Sequence, residues 1–220
     1  MINLIWKDIT VQKKRSFLFI IVYILLFSIT FSDMGEVMFT ASITATAYLF
    51  LTTACYYDDK NKSEILLNCL PIKRTNIVLA KYLTIFVYIA INSIVYTLIR
   101  SLMLILSFPM ELHYITFNSL IGGLLGISLI SSIYLPFFFK YGYAKTKYIT
   151  VVLFLGLFII APNIIAFFGD LINKLPMPSV VEFANNLTDT QITVFLLAFS
   201  AILLLVSTIV SIKIYENKEF

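Results

Sequence analysis

Charged residues are scarce in this chain of 220 residues. Asp, Glu, Lys and Arg together make up only 13% of it, whereas soluble domains carry about 25%. Hydrophobic residues reach 60%, and the mean hydropathy is +0.95. A soluble core of this length could not bury so much apolar surface, so the composition excludes an ordinary soluble domain and indicates a membrane protein.

The residues that build catalytic and metal sites are also few. His113 is the single histidine, which excludes a metal site with several histidine ligands. Cys55 and Cys69 lack CxxC spacing, and both fall on the side assigned below to the cytoplasm, so no disulfide is expected. The motifs GxSxG, HExxH and GxxxxGK[ST] are absent. We therefore expect no catalytic residue, metal or cofactor in this chain, which has no Walker loop to bind ATP.

Six apolar segments are candidates for membrane-spanning helices, which need about 20 residues each. The first of them reaches that length only by including residues 32–34. The predicted spans are 17–34, 37–55, 83–108, 115–139, 148–168 and 192–212. This pattern predicts an all-α integral membrane protein with a six-helix transmembrane domain over residues 17–214.

The basic residues predict the orientation of these spans. Of the 16 Lys and Arg residues, Lys174 lies on one side, Arg100 lies within a span, and the remaining fourteen share the opposite side. By the positive-inside rule that side is the cytoplasm, and both termini lie in it. The charge thus reflects membrane topology, and nucleic acid is not expected as a partner. The cytoplasmic segments are 1–16, 56–82, 140–147 and 213–220, and the one sizeable external loop is 169–190.

Residues 1–16 are predicted to form a separate amphipathic helix. Apolar and polar residues recur there at helical spacing: Ile2, Ile5, Trp6 and Ile9 against Asn3, Lys7, Thr10 and Lys14. This pattern is typical of a helix that lies in the membrane interface, with its tryptophan at headgroup level. The alternative is a plain cytoplasmic continuation of the first span.

The loop 56–82 is the longest polar stretch of the chain, yet it contains a short apolar run. Ser63 is a suitable N-cap, Glu64 follows where the helix dipole favours an anion, and Pro71 limits the helix to about two turns. Thr75 is expected to cap the next helix. The apolar positions are Ile65, Leu66, Leu67 and Leu70, and the surrounding charges are Asp58, Asp59, Lys60, Lys62, Lys73 and Arg74. The pattern predicts a protein-docking helix; the alternative is a loop folded back onto its own bundle.

Two further features concern the predicted spans. Gly122 and Gly126 form a GxxxG motif, for which packing within the chain is favoured over a dimer interface. Pro136 is expected to kink or end the fourth span, because proline lacks an amide donor.

Arg100 is the single Lys or Arg within a predicted span. It either snorkels to the outer headgroups or turns inward to close the outer end of a pathway. In the second interpretation it pairs with an external carboxylate such as Glu111 or Asp170, and Asn92 extends the polar track.

Two segments of the chain resemble the ABC-2 type permeases. They are LPIKRTNIVLAKY at residues 70–82 and LPFFFKYGYAKTK at residues 135–147. The similarity is to the small-permease branch associated with export of bacitracin and phenol-soluble modulins, and it covers nearly the whole chain. It implies a permease in the plasma membrane of a bacterium. Such a permease pairs with a second copy, identical or different, and with separate cytoplasmic ATPase subunits that bind ATP and Mg²⁺.

The resemblance also implies roles for particular residues. Residues 63–70 resemble the coupling helix, which docks in a groove of the ATPase and transmits its closure to the spans. The implied docking residues are Ser63, Glu64, Ile65, Leu66, Leu67, Leu70, Lys73 and Arg74, and the implied second cytoplasmic contact is Lys140, Tyr143 and Lys145.

The expected cargo is amphipathic: an antimicrobial or cytolytic peptide, or a lipid-like molecule. This expectation rests on the resemblance and on the small number of charges that the spans offer to an ion. The rival class is a membrane binding or regulatory protein, such as a vitamin-uptake S-component that recruits a cytoplasmic partner.

Overall fold

The computed structural model describes residues 1–12, 14–30, 36–106, 114–156 and 188–218. Every regular element within these ranges is an α-helix, so the predicted all-α class is confirmed for them. The helices are α1 (Ile2–Thr10), α2 (Lys14–Thr30), α3 (Glu36–Lys60), α4 (Ser63–Cys69), α5 (Arg74–Ile105), α6 (Phe117–Tyr141), α7 (Tyr143–Leu155) and α8 (Asp189–Glu216).

Within the described ranges, three helices are long and apolar enough to cross a membrane: α5, α6 and α8. Helix α5 has 32 residues, about 48 Å at 1.5 Å per residue, whereas the hydrocarbon core of a bilayer is about 30 Å thick. Part of α5 therefore extends beyond the lipid. The six-span arrangement, its orientation and the interfacial position of α1 stay predictions.

Four helices form the core of the described structure. Helix α6 packs against α3 and α8, and α5 closes the arrangement by packing against the same two helices. Tyr48, Tyr88, Tyr96, Tyr134 and Tyr215 are among the largest side chains buried between them. Helix α2 lies against α3 and α5, α7 against α6 and α3, α1 against α5, and α4 against α3.

The contact between α3 and α6 is close because α6 presents three glycines to α3. A Cβ atom at Gly122 would lie 3.0 Å from Thr40 Cγ2, and one at Gly126 would lie 2.7 Å from Thr44 Oγ1. A Cβ atom at Gly123 would overlap the side chain of Ile43. The face that carries the GxxxG motif therefore packs within the chain.

Pro136 does not end α6, which continues to Tyr141. Proline cannot donate to the carbonyl four residues earlier, which belongs to Ser132. That carbonyl accepts a hydrogen bond of 2.7 Å from the hydroxyl of Ser207 on α8. The acceptor that the proline leaves free is thus satisfied by a neighbouring helix. The prediction was a kink or a helix end at Pro136: the end is contradicted, and the kink stays a prediction.

Both helix caps predicted in the polar loop lie one or two residues away from the observed ones. Helix α3 runs to Lys60, so the chain reverses within two residues, and Lys62 becomes the N-cap of α4 in a left-handed conformation, with φ 51° and ψ 36°. Ser63 is the first helical residue instead of the cap. Likewise, Lys73 precedes α5 as its N-cap, and Thr75 lies inside the first turn.

Candidate functional site

Helix α4 presents most of its apolar side chains outward. Ile65, Leu66 and Leu70 are 53%, 65% and 52% exposed, and Cys69 is exposed beside them. Leu67 is half-buried and points the other way. The outward side chains include three of the four apolar residues that sequence reasoning placed in the docking helix. Ile65 and Leu66 lie on α4, and Leu70 is the extended residue that follows it. We call Ile65, Leu66 and Leu70 the α4 face.

The inner side of α4 lies over a small cavity of about 20 Å³. A space of this size holds at most about one water molecule. Leu67 and Glu64 of α4 line it together with Phe138 and Phe139 of α6, Tyr215 of α8, and the charged residues Lys7, Asp8, Asp58 and Lys81. Leu67 therefore faces the interior of the fold, although its side chain is only half-buried.

Four charged side chains pair beneath α4, and we call them the ionic cluster: Lys7, Asp8, Asp58 and Lys81. Lys81 Nζ lies 3.0 Å from Asp8 Oδ2 and also forms an ion pair with Asp58. Lys7 Nζ lies 2.6 Å from Asp58 Oδ1 and 3.2 Å from Asp8 Oδ1. Two cations face two anions, so the cluster has no net charge and each buried charge is compensated.

The cluster joins the helices that surround α4. Lys7 and Asp8 belong to α1, Asp58 lies near the end of α3, and Lys81 lies in the third turn of α5. Burial by itself would raise the pKa of Asp58, but the adjacent Lys81 and Lys7 ammonium groups lower that pKa below its ordinary value. Asp58 is therefore held in its ionised form.

Sequence reasoning missed the ionic cluster. It placed Lys7 on the polar side of the amphipathic helix and Asp58 among the charges around the docking helix. One signal was present: Val78, Lys81, Ile85 and Tyr88 follow helical spacing, which places Lys81 on the same face as three apolar or aromatic residues. A charge on such a face needs a buried partner.

A second set of contacts joins α4 and the start of α5 to the end of α8. Lys218 Nζ lies 2.7 Å from Glu64 Oε2, and Asn68 Nδ2 donates to the Tyr215 hydroxyl at 3.2 Å. Arg74 Nη1 donates to the carbonyl oxygens of Glu216 and Lys218, at 2.8 and 3.1 Å. We call these contacts the C-terminal clamp.

The predicted second cytoplasmic contact lies close to the end of α3. Helices α6 and α7 meet at Gly142, whose φ of 72° favours glycine. A Cβ atom there would lie 3.4 Å from Asp59 Oδ1. The ring of Tyr143 contacts that of Tyr56 edge-on, at 5.3 Å between centroids. Lys140 and Lys145 are exposed, so both cations are accessible to a partner.

Only Arg100 and Asn92 of the predicted outer gate lie among the described residues. The Arg100 guanidinium lies 3.4 Å from the centre of the Tyr114 ring, a cation–π arrangement. Asn92 is buried and donates to the Tyr88 carbonyl of its own helix at 2.8 Å. Glu111 and Asp170 lie outside the described residues, and the gate stays a prediction.

Within the described ranges, no group of three or more His, Cys, Asp or Glu side chains is arranged to hold a metal ion. The exposed apolar side chains of the α4 face are suited to contact with another protein, and the C-terminal clamp attaches α4 to the end of α8.

The similarity to a known protein family extends over almost the whole chain. A family model described as ABC-2 family transporter protein matches residues 3–216, from α1 to the end of α8. Neither the curated proteins nor the solved structures include a significant match.

Proposed function

Because this chain belongs to the ABC-2 family of transporter proteins, we propose that it is the permease subunit of an ATP-driven exporter. A separate cytoplasmic ATPase binds ATP and Mg²⁺ and hydrolyses the nucleotide. Two permease copies, identical or different, form the transport pathway in the plasma membrane of a bacterium, in contact with its lipids. The α4 face docks on the ATPase.

The exposed α4 face is the observation that carries this proposal. Its three side chains, Ile65, Leu66 and Leu70, are each more than half exposed. A helix of seven residues is about 10 Å long, too short to cross a bilayer. Apolar anchors framed by charged residues, here Lys60, Lys62 and Lys73, are typical of a docking interface with an apolar centre and a polar rim.

The connections of α4 are suited to transmit movement from the ATPase to the spans. The chain links α4 directly to α3 and α5, and the ionic cluster holds those two helices and α1 together beneath it. When the ATPase subunits close on ATP, they displace α4, and the rigid connections pass the displacement to the bundle. Rocking of packed helices around a central site is the general basis of alternating access.

We propose an amphipathic cargo, such as an antimicrobial or cytolytic peptide or a lipid-like molecule. The support is the similarity of residues 70–82 and 135–147 to the branch of permeases named above and the near absence of charge from the predicted spans. A small ion would require compensating charges along its path.

The test begins with purification of the tagged chain in detergent and identification of the proteins that accompany it. We expect an ATPase with a Walker motif, whose ATP hydrolysis increases when a synthetic amphipathic helical peptide is added. Purification without any ATPase would overturn the proposal and favour the membrane binding or regulatory class.

The docking face is tested by Leu66→Asp. Leu66 is 65% exposed, so the charge should leave the fold intact while removing an anchor worth about 2 kcal/mol or more. We expect at least about 30-fold weaker binding of the ATPase, with an unchanged melting temperature of the permease.

Two further variants make this result specific. Asn61→Asp adds the same charge at an exposed position just before α4 and should keep the ATPase bound. Leu67→Asp places a carboxylate beside Asp8 and Asp58 in the interior, so it should lower the melting temperature. Full recovery of the ATPase with Leu66→Asp would show that α4 does not dock.

A further inference from the structure

Helix α4 follows α3 and precedes α5 in the chain, but its polar side chains contact the end of α8. Glu64, in the first turn of α4, pairs with Lys218 at 2.7 Å. Asn68, one turn later, donates to the Tyr215 hydroxyl at 3.2 Å and to the Glu64 carbonyl at 2.8 Å. Both turns of α4 are thus attached to the same end of one distant helix.

The Glu64–Lys218 pair is partly shielded from water. The two side chains are only 25% and 22% exposed, and Glu64 Oε1 is buried with no hydrogen-bond partner among the described residues. The carboxylate of Glu64 therefore depends on Lys218 for its compensation. Loss of that ammonium group would leave a partly buried anion without a partner, which is unfavourable.

The end of α8 is itself fixed in the bundle. Tyr215 is fully buried, and its ring packs edge-on against Phe139 of α6, with 5.2 Å between centroids. Arg74 donates to the carbonyls of Glu216 and Lys218, and a cation at the last carbonyls of a helix satisfies acceptors that have no partner within it. Movement of α4 relative to this end of α8 would therefore stretch or break the Glu64–Lys218 and Asn68–Tyr215 contacts.

We infer that the C-terminal clamp transmits the displacement of α4 to α8, and that Tyr215 and Lys218 are positioning residues for coupling. The inference rests on the proposed function and extends it, because it adds a route through the last helix to the covalent routes through α3 and α5. Helix α8 packs extensively on α6. Displacement of α8 is therefore passed on to α6 and, through α6, to α3.

The clamp itself is tested on the full-length chain without any partner, by amide hydrogen exchange of residues 63–70. The clamp variants carry Tyr215→Phe, which keeps the ring and removes the hydroxyl, together with Lys218→Gln. We expect exchange in residues 63–70 to become about tenfold faster. Lys213→Gln, at an exposed position of the same helix end, should leave it unchanged, and Lys218→Arg should preserve slow exchange.

Transmission is tested on the complex with the co-purified ATPase. Thr190 is exposed at the other end of α8, and Thr190→Cys in a Cys69→Ser background provides a reporter, because Cys55 is buried. In the reporter chain with an unaltered clamp, we expect ATP and vanadate to change the rate of thiol labelling at residue 190 by about threefold or more. The clamp variants should keep the ATPase bound but lose this change, whereas Lys218→Arg should retain it.

Each outcome distinguishes the inference from the proposed function. Unchanged exchange in the clamp variants, or ATP-dependent labelling that persists in them, overturns transmission through the clamp while the permease assignment stands. Failure of the chain with an intact clamp to bind any ATPase overturns the proposed function, and transmission with it.

Discussion

Lys81 carries a full charge into a position that is only 5% exposed. Removing a charge from water costs several kcal/mol, and an ion pair offsets that cost only when its geometry is good and its other groups are satisfied. Lys81 meets this condition through Asp8 and Asp58, and Asp58 in turn accepts from Lys7. The four side chains stabilise the fold as a set, because removal of one leaves another uncompensated.

We predict that Lys81→Met destabilises the protein more than Lys7→Met. The first change leaves two buried carboxylates with one cation between them and should cost about 3 kcal/mol or more. The Lys7 side chain is 29% exposed, so water can replace it, and the cost should be about 1 kcal/mol. Thermal unfolding of the purified variants in the same detergent compares the two, and equal losses would contradict a buried cluster.

The pKa of Asp58 predicts how this stability depends on pH. Because the pKa in the folded chain lies below its ordinary value, ionised Asp58 contributes stability above the unfolded pKa of about 4. That contribution is lost as pH falls through the lower folded pKa. The melting temperatures of the unaltered chain and Asp58→Asn should therefore differ by a constant amount between about pH 5 and pH 8 and converge at more acidic pH. Convergence that is already visible between about pH 8 and pH 6 would contradict this assignment.

Single residues differ in how far the sequence reveals their roles. The outward position of Leu66 follows from an apolar run bounded by charges, which can be recognised locally. The inward position of Leu67, one residue later, depends on a cavity formed by α1, α3, α5, α6 and α8. The partners Lys7 and Asp58 are 51 residues apart, and Asp8 and Lys81 are 73 apart. No local pattern shows pairing over such separations, so the sequence could indicate that Lys81 needs a partner but not which one.

The helices show the same division between local and distant causes. The spacing of apolar residues predicts helices at the described positions, but not where they end. The N-cap of α5 is Lys73, two residues before the predicted cap at Thr75, so this start could be predicted closely from a local signal. Helix α6 passes Pro136 because Ser207 of α8 supplies the missing donor, and that compensation belongs to a different part of the chain.

We predict that the α3–α6 contact does not tolerate a methyl group at Gly123. A Cβ atom there would overlap Ile43, and such overpacking typically costs about 1–3 kcal/mol. Replacing a helical glycine with alanine gains about 1 kcal/mol in propensity, so the net change should still be destabilising. Gly156→Ala is the matched control, because no atom of the described residues lies within 4 Å of the added atom, and it should be neutral or slightly stabilising. Equal melting temperatures for the two variants would contradict close packing at Gly123.

Several polar contacts of the described residues gather at one end of the helix core. The ionic cluster, the C-terminal clamp and the turn at Gly142 all lie near the α4 end of the four-helix core. Within α3, Thr44, Thr46 and Thr53 each donate to a carbonyl one turn earlier. A helix with many threonines can therefore enter lipid without exposing free donors, which is consistent with α3 as a span although its composition is less apolar than that of α8.

The last prediction concerns the orientation of the chain in the membrane, on which docking of a cytoplasmic ATPase depends. In intact cells with a Cys69→Ser background, an impermeant thiol reagent should label cysteines introduced at Glu111 and Asp189 and should not label those at Lys62 and Lys145. The physical reason is the positive-inside rule, since fourteen of the 16 Lys and Arg residues share the predicted cytoplasmic side. Permeabilised cells provide the control, because all four positions should then react. External labelling of Lys62→Cys would place α4 outside the cell, where no ATP-driven partner could reach it, and would overturn both the topology and the proposed coupling.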